Sequence, residues 1–558
     1  MAAAPPSADP LIRFRVDGAV VEVPDDGATL LEVLRDRLGL HSMKDGCSPQ
    51  GQCGCCTVWV DGAPRVACVT PARRLDGRQV TTLDGLPGPT RRVWADALVA
   101  TGGSQCGFCT PGIVMRLAAL DGPSPVGRDA VDRALLAHLC RCTGWQTVVE
   151  AAGRVLGASG AAGDGQEPEA VADATDHGDR DLAAASTRAG LEGGVAQRVG
   201  PAVVLGDAGF ADDTCPSGAL VAVVDGDRYV VADSLSAART AAGKVQGRST
   251  TVPLGHPVAV PGGAWAVTLT TTWVEPAYVE PDASWCEPGG TPASPYGNGG
   301  SFGGKLRSPV AEDARRLADG HGRTVRVLWS REDVVRRGPK RPPVAGGVRA
   351  DGTGVLRVGV SGSGIEGPDW DDLVVAVAGL APGLVLEQVE VVGPATSLDL
   401  RAAVWAEAAV LAAAARLGRP GTPVHDVPVE VVGPSGGRAV VRCAADGTLD
   451  VEVSAGAVLD AVVLRSYAIG AAHQALGWVR SEGIAVSPEG EVQDLTVRSF
   501  GILQARAVPQ VTVRVVDEPH GTPVNGTDAV FAAVAAARWL ADGLPPAWPT
   551  DRTGAGRR

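Results

Sequence analysis

The amino-terminal 38 residues change from a period of two to a helical period. Apolar side chains alternate with polar ones over residues 12–16 and 21–23, and Asp17-Gly18 separates the two runs. This pattern predicts a β-hairpin. From residue 30 to residue 38 the apolar positions recur at helical spacing, and Thr29 stands at the N-cap position. Two strands followed by a helix predict the start of a β-grasp arrangement.

The rest of the chain divides by pattern into three further parts. Apolar positions recur at helical spacing within residues 85–156, whereas residues 157–200 are rich in Ala, Gly, Asp and Glu with little periodicity. The latter composition predicts a flexible linker. Residues 201–545 alternate short Val-rich strands with Ala-rich helices. With residues 9–84 as the first part, we predict an α+β protein with two small domains, a linker and a larger region.

The amino-acid composition limits the classes of partner that this protein could bind. The net charge of −13 argues against a nucleic-acid partner, which would require clustered basic residues. No apolar stretch approaches the roughly 20 residues that span a bilayer, and no leader pattern is visible in residues 1–10. We therefore expect a cytoplasmic protein with no membrane partner. Thiols stay reduced there, so the nine cysteines between residues 47 and 142 are expected to bind metal.

The first cysteine group has the spacing of a plant-type [2Fe–2S] site. Its pattern is C-x5-C-x2-C-x11-C, one residue longer in the first gap than the usual pattern. Glycines in this loop let backbone amides approach the sulfurs. A structural zinc site is the alternative, although a Gly-rich loop is poor zinc geometry. Cys55 is interpreted as a non-ligand. The predicted ligands are Cys47, Cys53, Cys56 and Cys68.

The second cysteine group consists of two pairs at predicted helix ends. Thr110-Pro111 follows the first pair and opens a helix, and a further helix is expected after Thr143-Gly144. A C-x-C pair is awkward for one zinc ion, because both thiolates must turn toward it, and is easier to accommodate in a cluster. The predicted ligands are Cys106, Cys109, Cys140 and Cys142.

These motifs resemble a known family. CGFCTPG at 106–112 together with CRCTG at 140–144 resembles the helical iron–sulfur domain of the xanthine oxidase family of molybdenum hydroxylases. The resemblance covers residues 11–155 and implies a β-grasp [2Fe–2S] domain over 9–84 and a four-helix [2Fe–2S] domain over 85–156. It also implies that Gln105 contacts the pterin of a molybdenum cofactor. The alternative is a helix-entry residue bonded to local backbone.

Residues 201–545 resemble a shortened molybdenum-binding part of the same family. NGGSFGGK at 298–305 is similar to the family's Gly-rich turn, and RAAVWAEAA at 401–409 is similar to a loop that leads into a helix. Such a turn exposes backbone amides, although an ordinary surface turn is the alternative. The resemblance implies molybdopterin in its cytosine dinucleotide form. It assigns cofactor contacts to Gly299, Gly300, Phe302, Gly303, Gly304 and Arg401.

The catalytic base departs from the family pattern. The family carries a Glu before a late Ala-rich helix, whereas VNGTDAVFAAVAAA places Asp528 there. The shorter side chain of Asp withdraws the carboxylate by one methylene. A misplacement of about 1 Å at a catalytic group can lower the reaction rate about a hundredfold. The alternative is that Asp528 is a first-turn helix acid, and Glu518 is a second candidate base. The Gly-Gln-Gly loop and the Ala-Gly-Ser-rich pterin loop of the family are not found.

Two further segments have open interpretations. The repeated Glu-Pro of residues 273–286 either lines a substrate funnel, as the resemblance implies, or punctuates edge strands. The basic residues of 331–343 either hold cofactor phosphates or form a solvated face, which we favour.

Together these features predict a molybdenum-dependent hydroxylase or dehydrogenase. The resemblance implies oxidation of a purine, another N-heterocycle or an aldehyde with oxygen from water, and electron flow through two [2Fe–2S] clusters. FAD, if used, would lie on a partner subunit, and homo-oligomers are left open. The alternative is an electron-transfer iron–sulfur protein whose carboxy-terminal part is a non-catalytic scaffold for a partner subunit.

Overall fold

The computed structural model describes residues 10–122, 124–157, 180–243, 252–361 and 370–551. Within these ranges the chain forms four small sheets with helices packed around them. The predicted α+β class is confirmed.

The first sheet contains the predicted hairpin. Leu11–Val16 pairs antiparallel with Ala19–Pro24, with Val16 opposite Ala19, and every second residue of the first strand is buried. The helix that follows begins at Leu30, where the Thr29 hydroxyl accepts a hydrogen bond from the Glu32 amide at 3.3 Å. The sheet is completed by Thr57–Val60, Ala63–Val66 and Gln79–Thr81.

Four helices form the second domain, as predicted. The last of them packs against the first, and Gly102 ends the first helix in the left-handed conformation at φ 69°. The helices are Gly88–Thr101, Thr110–Ala118, Arg128–Leu135 and Gln146–Leu156.

The predicted linker is only partly within the described residues. Residues 158–179 lie outside them, and Leu182–Gly193 is a helix rather than irregular chain. Asp181 caps this helix, and its buried face packs on Val463 and Tyr467. The alanines of this segment therefore form an apolar helical face, which the mixed composition concealed.

The larger region contains three four-stranded sheets. The first is built from Leu220–Asp225, Arg228–Ala232, Ala283–Cys286 and Val325–Leu328. The second is built from Val267–Thr270, Val344–Val348, Gly354–Val360 and Leu384–Glu390. The third is built from Val429–Val432, Arg438–Cys443, Leu449–Ser454 and Val511–Val516.

The helices of this region lie beside and between the sheets. The α-helices are Pro201–Val204, Ala211–Thr214, Leu235–Ala241, Val310–His321, Arg331–Arg337, Trp370–Leu380, Trp405–Leu417, Ala461–Arg480 and Thr527–Ala541. In the described part of the chain, none of the helices has the length and apolar character needed to cross a membrane.

A buried central helix joins the two halves of the molecule. Ala461–Arg480 is buried around most of its circumference, which is typical of an interior helix. One side packs on Thr527–Ala541, where the rings of Trp478 and Phe531 stack with centroids 5.1 Å apart. The other side meets the four-helix domain, because the Ser466 hydroxyl donates to the carbonyl of Gly102 at 2.6 Å.

His473 on this helix should make stability depend on pH. Burial lowers its pKa to about 4, and its Nε2 lies 3.0 Å from the Leu503 carbonyl. The unfolded chain, with a histidine pKa near 6.5, therefore binds the proton first as the pH falls. The titration of His473 should therefore lower the free energy of unfolding by about 3 kcal/mol as the pH falls from 6.5 to 4.

The measurement is the melting temperature from pH 7 to pH 4.5 for the wild type and for His473→Gln, whose amide can still donate to Leu503. The variant should lose less stability on acidification. Parallel curves for the two proteins would contradict the assignment.

Candidate iron–sulfur sites and the adjoining cavity

The loop after the first helix brings the four cysteines of the first group together. All four are buried. The Cys47 thiol contacts those of Cys53 and Cys68, and Cys68 also contacts Cys56. Hydrogen bonds from the Cys53 and Cys68 thiols hold the pKa of Cys47 well below its ordinary value. Backbone amides point at the sulfurs as expected, with the amide of Gln50 3.2 Å from Cys47 Sγ.

Cys55 is buried beside this group, and burial raises the pKa of its thiol. A Cβ on Gly46 would lie 3.0 Å from Cys53 Sγ, 3.0 Å from a methyl carbon of Val279 and 3.1 Å from Cys55 Sγ, so the space at this glycine is tight. The assignment of Cys55 as a non-ligand remains a prediction.

The second group forms two thiol pairs. Cys106 Sγ lies 3.6 Å from Cys142 Sγ, and the Cys109 thiol bonds to Cys140. The bond from Cys109, helped by the amide and hydroxyl of Thr143, lowers the pKa of Cys140 to about 6. Within the described ranges, no three His, Cys, Asp or Glu side chains are grouped to hold a single ion.

Paired thiols fit a binuclear cluster. A [2Fe–2S] cluster takes four cysteine thiolates, shared between two irons. Zinc instead needs four ligands around one point. The donor chemistry of both cysteine groups therefore fits [2Fe–2S] clusters, and amide or hydroxyl groups lie against the sulfurs of Cys47 and Cys140.

The two cysteine groups adjoin. The amide of Leu139, the residue before Cys140, donates to the carbonyl of Cys53 at 2.9 Å. Gly112 also has no room for a side chain, because a Cβ there would lie 2.3 Å from the carbonyl oxygen of Gly54. The hydrogen bond from Leu139 thus links the backbone of the second group to that of the first.

The Gly-rich turn packs directly on the second cysteine group. A Cβ on Gly300 would lie 2.9 Å from both Cβ and Sγ of Cys106 and 3.3 Å from Cys142 Sγ. A Cβ on Gly299 would meet Gln197 at 2.6 Å, and one on Gly304 would meet Tyr278 at 2.7 Å. The turn is therefore in contact with the second cysteine group, and protein atoms occupy the position of a Cβ at these three glycines.

Gln105 reaches the central helix rather than local backbone. Its Nε2 donates to the Ser466 hydroxyl at 2.9 Å, while its buried Oε1 has no partner in the described part of the chain. The alternative, in which Gln105 bonds to local backbone alone, is therefore not observed.

Arg401 lies above the Gly-rich turn. Its guanidinium carbon is 4.2 Å from the ring centre of Phe302. Both residues line a cavity of about 40 Å³ beside the central helix, and a second cavity of about 10 Å³ touches Cys106 and Cys142. One water molecule needs about 10–15 Å³ of such space. The contacts of Gly299, Gly300, Phe302, Gly303, Gly304 and Arg401 with a molybdenum cofactor remain predictions.

Asp528 lies in the first turn of the helix Thr527–Ala541. Its amide donates a hydrogen bond to Asn525 Oδ1 at 3.0 Å. Burial raises the pKa of the carboxyl group, and Arg401 and Arg341 oppose that rise. This is the position of a first-turn acid, and the role of Asp528 as a base remains a prediction. Glu518 instead accepts a bond from the Ser454 hydroxyl at 2.5 Å.

The segment with repeated Glu-Pro carries an ion pair that sequence reasoning missed. The ammonium group of Lys305, which ends the Gly-rich motif, donates to Glu280 Oε2 at 2.6 Å. Both side chains are buried, and burial raises the pKa of Glu280 to about 7 despite the nearby ammonium. Glu280 lines the cavity that touches Cys106 and also one that touches Cys68. Glu280 lies in the repeated Glu-Pro segment and Lys305 ends the Gly-Gly-Lys motif. Both motifs are visible in the sequence, but only the fold brings the two side chains together.

The basic segment 331–343 is largely buried, not a solvated face. Arg331 donates to the carbonyls of Tyr278, Val279 and Gly46 at 2.7–3.0 Å. Lys340 pairs with Glu275, and Arg341 pairs through both nitrogens with Glu407. These cations therefore stabilise the fold and are not available to bind phosphates.

Family comparisons agree with the two cysteine groups. Residues 14–80 match the 2Fe-2S iron-sulfur cluster binding domain, and residues 82–153 match the [2Fe-2S] binding domain.

Similar proteins share the same segment. A probable xanthine dehydrogenase subunit of Bacillus subtilis is 36% identical over 146 residues, which are 26% of this chain and 83% of that protein. The aldehyde oxidoreductase of Megalodesulfovibrio gigas is 44% identical over 132 residues, 23% of this chain and 14% of that protein. A xanthine dehydrogenase of Emericella nidulans is 40% identical over 159 residues, 26% and 11% of the two chains. The matched segment thus spans most of the first relative and a small part of the other two.

Two solved structures have a similar fold over nearly the whole chain. The aldehyde oxidoreductase from Desulfovibrio gigas aligns over 96% of this chain and 97% of that one, with a TM-score of 0.62 and 14% identity. The aldehyde oxidoreductase from Desulfovibrio desulfuricans aligns over 96% and 100%, with the same TM-score and identity. At this identity the likeness concerns the fold alone.

Gly300→Ala should disturb the second cysteine group selectively. The new Cβ would collide with Cys106, in addition to the strain of φ 90°. Gly77→Ala is a matched control, because Gly77 has φ 72° and nothing within 4 Å of a Cβ. We expect iron to fall from about four to about two per chain in the first variant only. Equal iron content in the two variants would contradict the close contact.

Single cysteine replacements should separate ligands from bystanders. Cys142→Ala removes one thiolate of the second group, so one cluster should be lost and iron should fall to about two per chain. Cys55→Ala should keep about four irons per chain. Iron analysis with electron paramagnetic resonance of the reduced protein measures both, and iron loss in Cys55→Ala would make that residue a ligand.

Proposed function

Since the chain belongs to the xanthine oxidase family of molybdenum hydroxylases, which are molybdopterin-dependent oxidoreductases, we propose that it conducts electrons through two [2Fe–2S] clusters during substrate oxidation. The substrate class is a purine, another N-heterocycle or an aldehyde, with oxygen taken from water. The observation that carries the proposal is the pair of adjoining, buried cysteine groups.

The surroundings of the thiols support storage of single electrons. Reduction adds negative charge to a group that already has a net negative charge, so buried donors that stabilise that charge favour it. The amide of Gln50 supplies one donor at the first group, and Thr143 supplies an amide and a hydroxyl at the second. The hydrogen bond from Leu139 to Cys53 gives a short backbone connection between the groups.

In the first form of this proposal the molybdenum centre lies on a partner subunit. The Gly-rich turn rests on Cys106 and Cys142 without an open cradle, and the neighbouring cavities hold about 40 and 10 Å³. The Bacillus subtilis relative is named as one subunit of a xanthine dehydrogenase, which supports a multi-subunit assembly. FAD or another electron acceptor would likewise lie outside this chain.

A second candidate places the whole hydroxylase in this chain. The buried and unpartnered atoms Gln105 Oε1 and Arg401 Nη1, within the part of the chain that the structure describes, favour it. A rearrangement that opened the turn would offer both atoms to a cofactor. In that case molybdopterin, in its cytosine dinucleotide form, would be held by these residues and the Gly-rich turn, and Asp528 would be the base.

Metal and sulfide analysis of the full chain distinguishes the candidates. For the electron-conducting chain we expect about four iron, about four sulfide and no molybdenum, when it is produced in a host that makes the cofactor. About one molybdenum per chain would support the second candidate, and Asp528→Asn would then be expected to abolish turnover. Zinc in place of iron would overturn both.

A further inference from the structure

The loop that carries Cys47 and Cys53 comes close to the protein surface at Gly51. A Cβ on Gly51 would lie 3.0 Å from a methyl carbon of Val69, so the side chain of Val69 lies against this part of the loop. Val69 directly follows Cys68 in the chain and is 45% exposed. An apolar side chain is therefore exposed beside a predicted ligand of the first cluster.

A second exposed residue borders the same loop. A Cβ on Gly54 would lie 2.7 Å from the carbonyl oxygen of Ala137, and Ala137 is itself exposed. Val69 and Ala137 thus both adjoin the first cysteine loop where it approaches the surface.

Two arginines follow Val69 on the surface. Arg73 and Arg74 are exposed and belong to a short 3₁₀-helix. Among the described residues, neither of them forms an ion pair. The next acid in the chain, Asp76, accepts a hydrogen bond from the amide of Arg13 at 3.0 Å and so lies against the first strand. The charges of the two arginines are therefore available to a partner.

A third arginine lies beside Ala137. Arg498 is exposed, and its guanidinium donates to the carbonyl of Leu136 at 3.3 Å. In the described part of the chain it forms no ion pair either. Exposed small or apolar residues and unpaired cations thus share the surface of the first cysteine loop. We call this surface the loop patch, and it consists of Gly51, Val69, Arg73, Arg74, Ala137 and Arg498.

The loop patch is positively charged on a protein whose net charge is −13. Attraction at the patch and repulsion from the rest of the surface would orient an approaching acidic protein onto the patch. Electron tunnelling between proteins weakens steeply with distance, so an acceptor has to dock close to the donor cluster. The loop under the patch carries three of the four predicted ligands of the first cluster, Cys47, Cys53 and Cys56.

From these observations we propose that the loop patch is the docking site of an acidic electron-acceptor protein, which takes one electron at a time from the first cluster. In each transfer the reduced [2Fe–2S] cluster returns to its oxidised state and the acceptor gains that electron, while no bond forms or breaks. Substrate oxidation supplies the electrons, so the inference rests on the proposed function and names its partner. Val69 supplies the apolar centre of the contact, and the arginines supply its charged rim.

The test compares two forms of one acceptor, namely native cytochrome c, which is basic, and cytochrome c with succinylated lysines, which is acidic. The full, iron-loaded chain is reduced with dithionite, excess reductant is removed, and reduction of the haem is followed by stopped-flow absorbance. The rate with the succinylated form should fall about tenfold or more from low to high salt, because salt screens the attraction to the patch. A rate that rises with salt would show that repulsion by the net charge governs the encounter, and would overturn the inference.

Charge-reversal variants locate the contact. Arg73→Glu and Arg498→Glu should each slow reduction of the succinylated form about threefold to tenfold at low salt, and should not slow reduction of the native form. Val69→Ser should slow the succinylated form at high salt as well, because it removes apolar contact. Arg442→Glu is the matched control, since Arg442 is exposed on the strand Arg438–Cys443 of the third sheet. Equal slowing by the control and by the two patch arginines would overturn the assigned site.

Iron content and electron paramagnetic resonance of each reduced protein separate this inference from the proposed function. A wild-type chain without reducible clusters would overturn both. Intact, reducible clusters together with equal transfer rates in the wild type and the patch variants would overturn the docking site alone. The two arginine variants carry the test if Val69→Ser loses iron, because both arginines lie at the surface.

Discussion

The burial of paired thiols is the constraint on which the rest of this structure depends. A buried thiolate is costly unless hydrogen bonds and nearby donors stabilise it. The chain meets that cost with amides such as that of Gln50, with the hydroxyl of Thr143, and with thiol-to-thiol contacts inside each group. Glycines at 112 and 300 follow from the same constraint, because the carbonyl oxygen of Gly54 and the side chain of Cys106 approach them too closely for a Cβ.

The carboxy-terminal region covers the second cysteine group. Gly300 packs on Cys106, and a Cβ on Gly470 of the central helix would lie 1.8 Å from the carbonyl oxygen of Cys142. Arg141, between the cysteines of the C-x-C pair, reaches across to Glu482. Breaking a buried pair of this kind leaves an uncompensated charge, so such pairs favour one arrangement of the two halves.

The hairpin, the helix capped by Thr29, the four-helix domain and both sets of cysteines could be predicted, because each rests on local periodicity or on spacing within a short segment. The helix Leu182–Gly193 was missed, since its apolar face is made of alanines in a segment rich in Gly and acidic residues. The basic segment 331–343 was assigned to solvent, because nothing in its own residues reveals that Glu275 and Glu407 pair with its cations.

The sequence by itself determined the iron–sulfur chemistry, since the identity and spacing of cysteines limit which metal group they can hold. The family resemblance also implied that the Gly-rich turn and Gln105 lie near a cofactor. Only the tertiary structure decided what surrounds them. Lys305 meets Glu280, Gln105 meets Ser466, and in the described part of the chain Arg401 Nη1 is left without a partner beside Trp478. These outcomes depend on contacts between residues far apart in the chain, where packing and burial select the partners and local pattern carries no information.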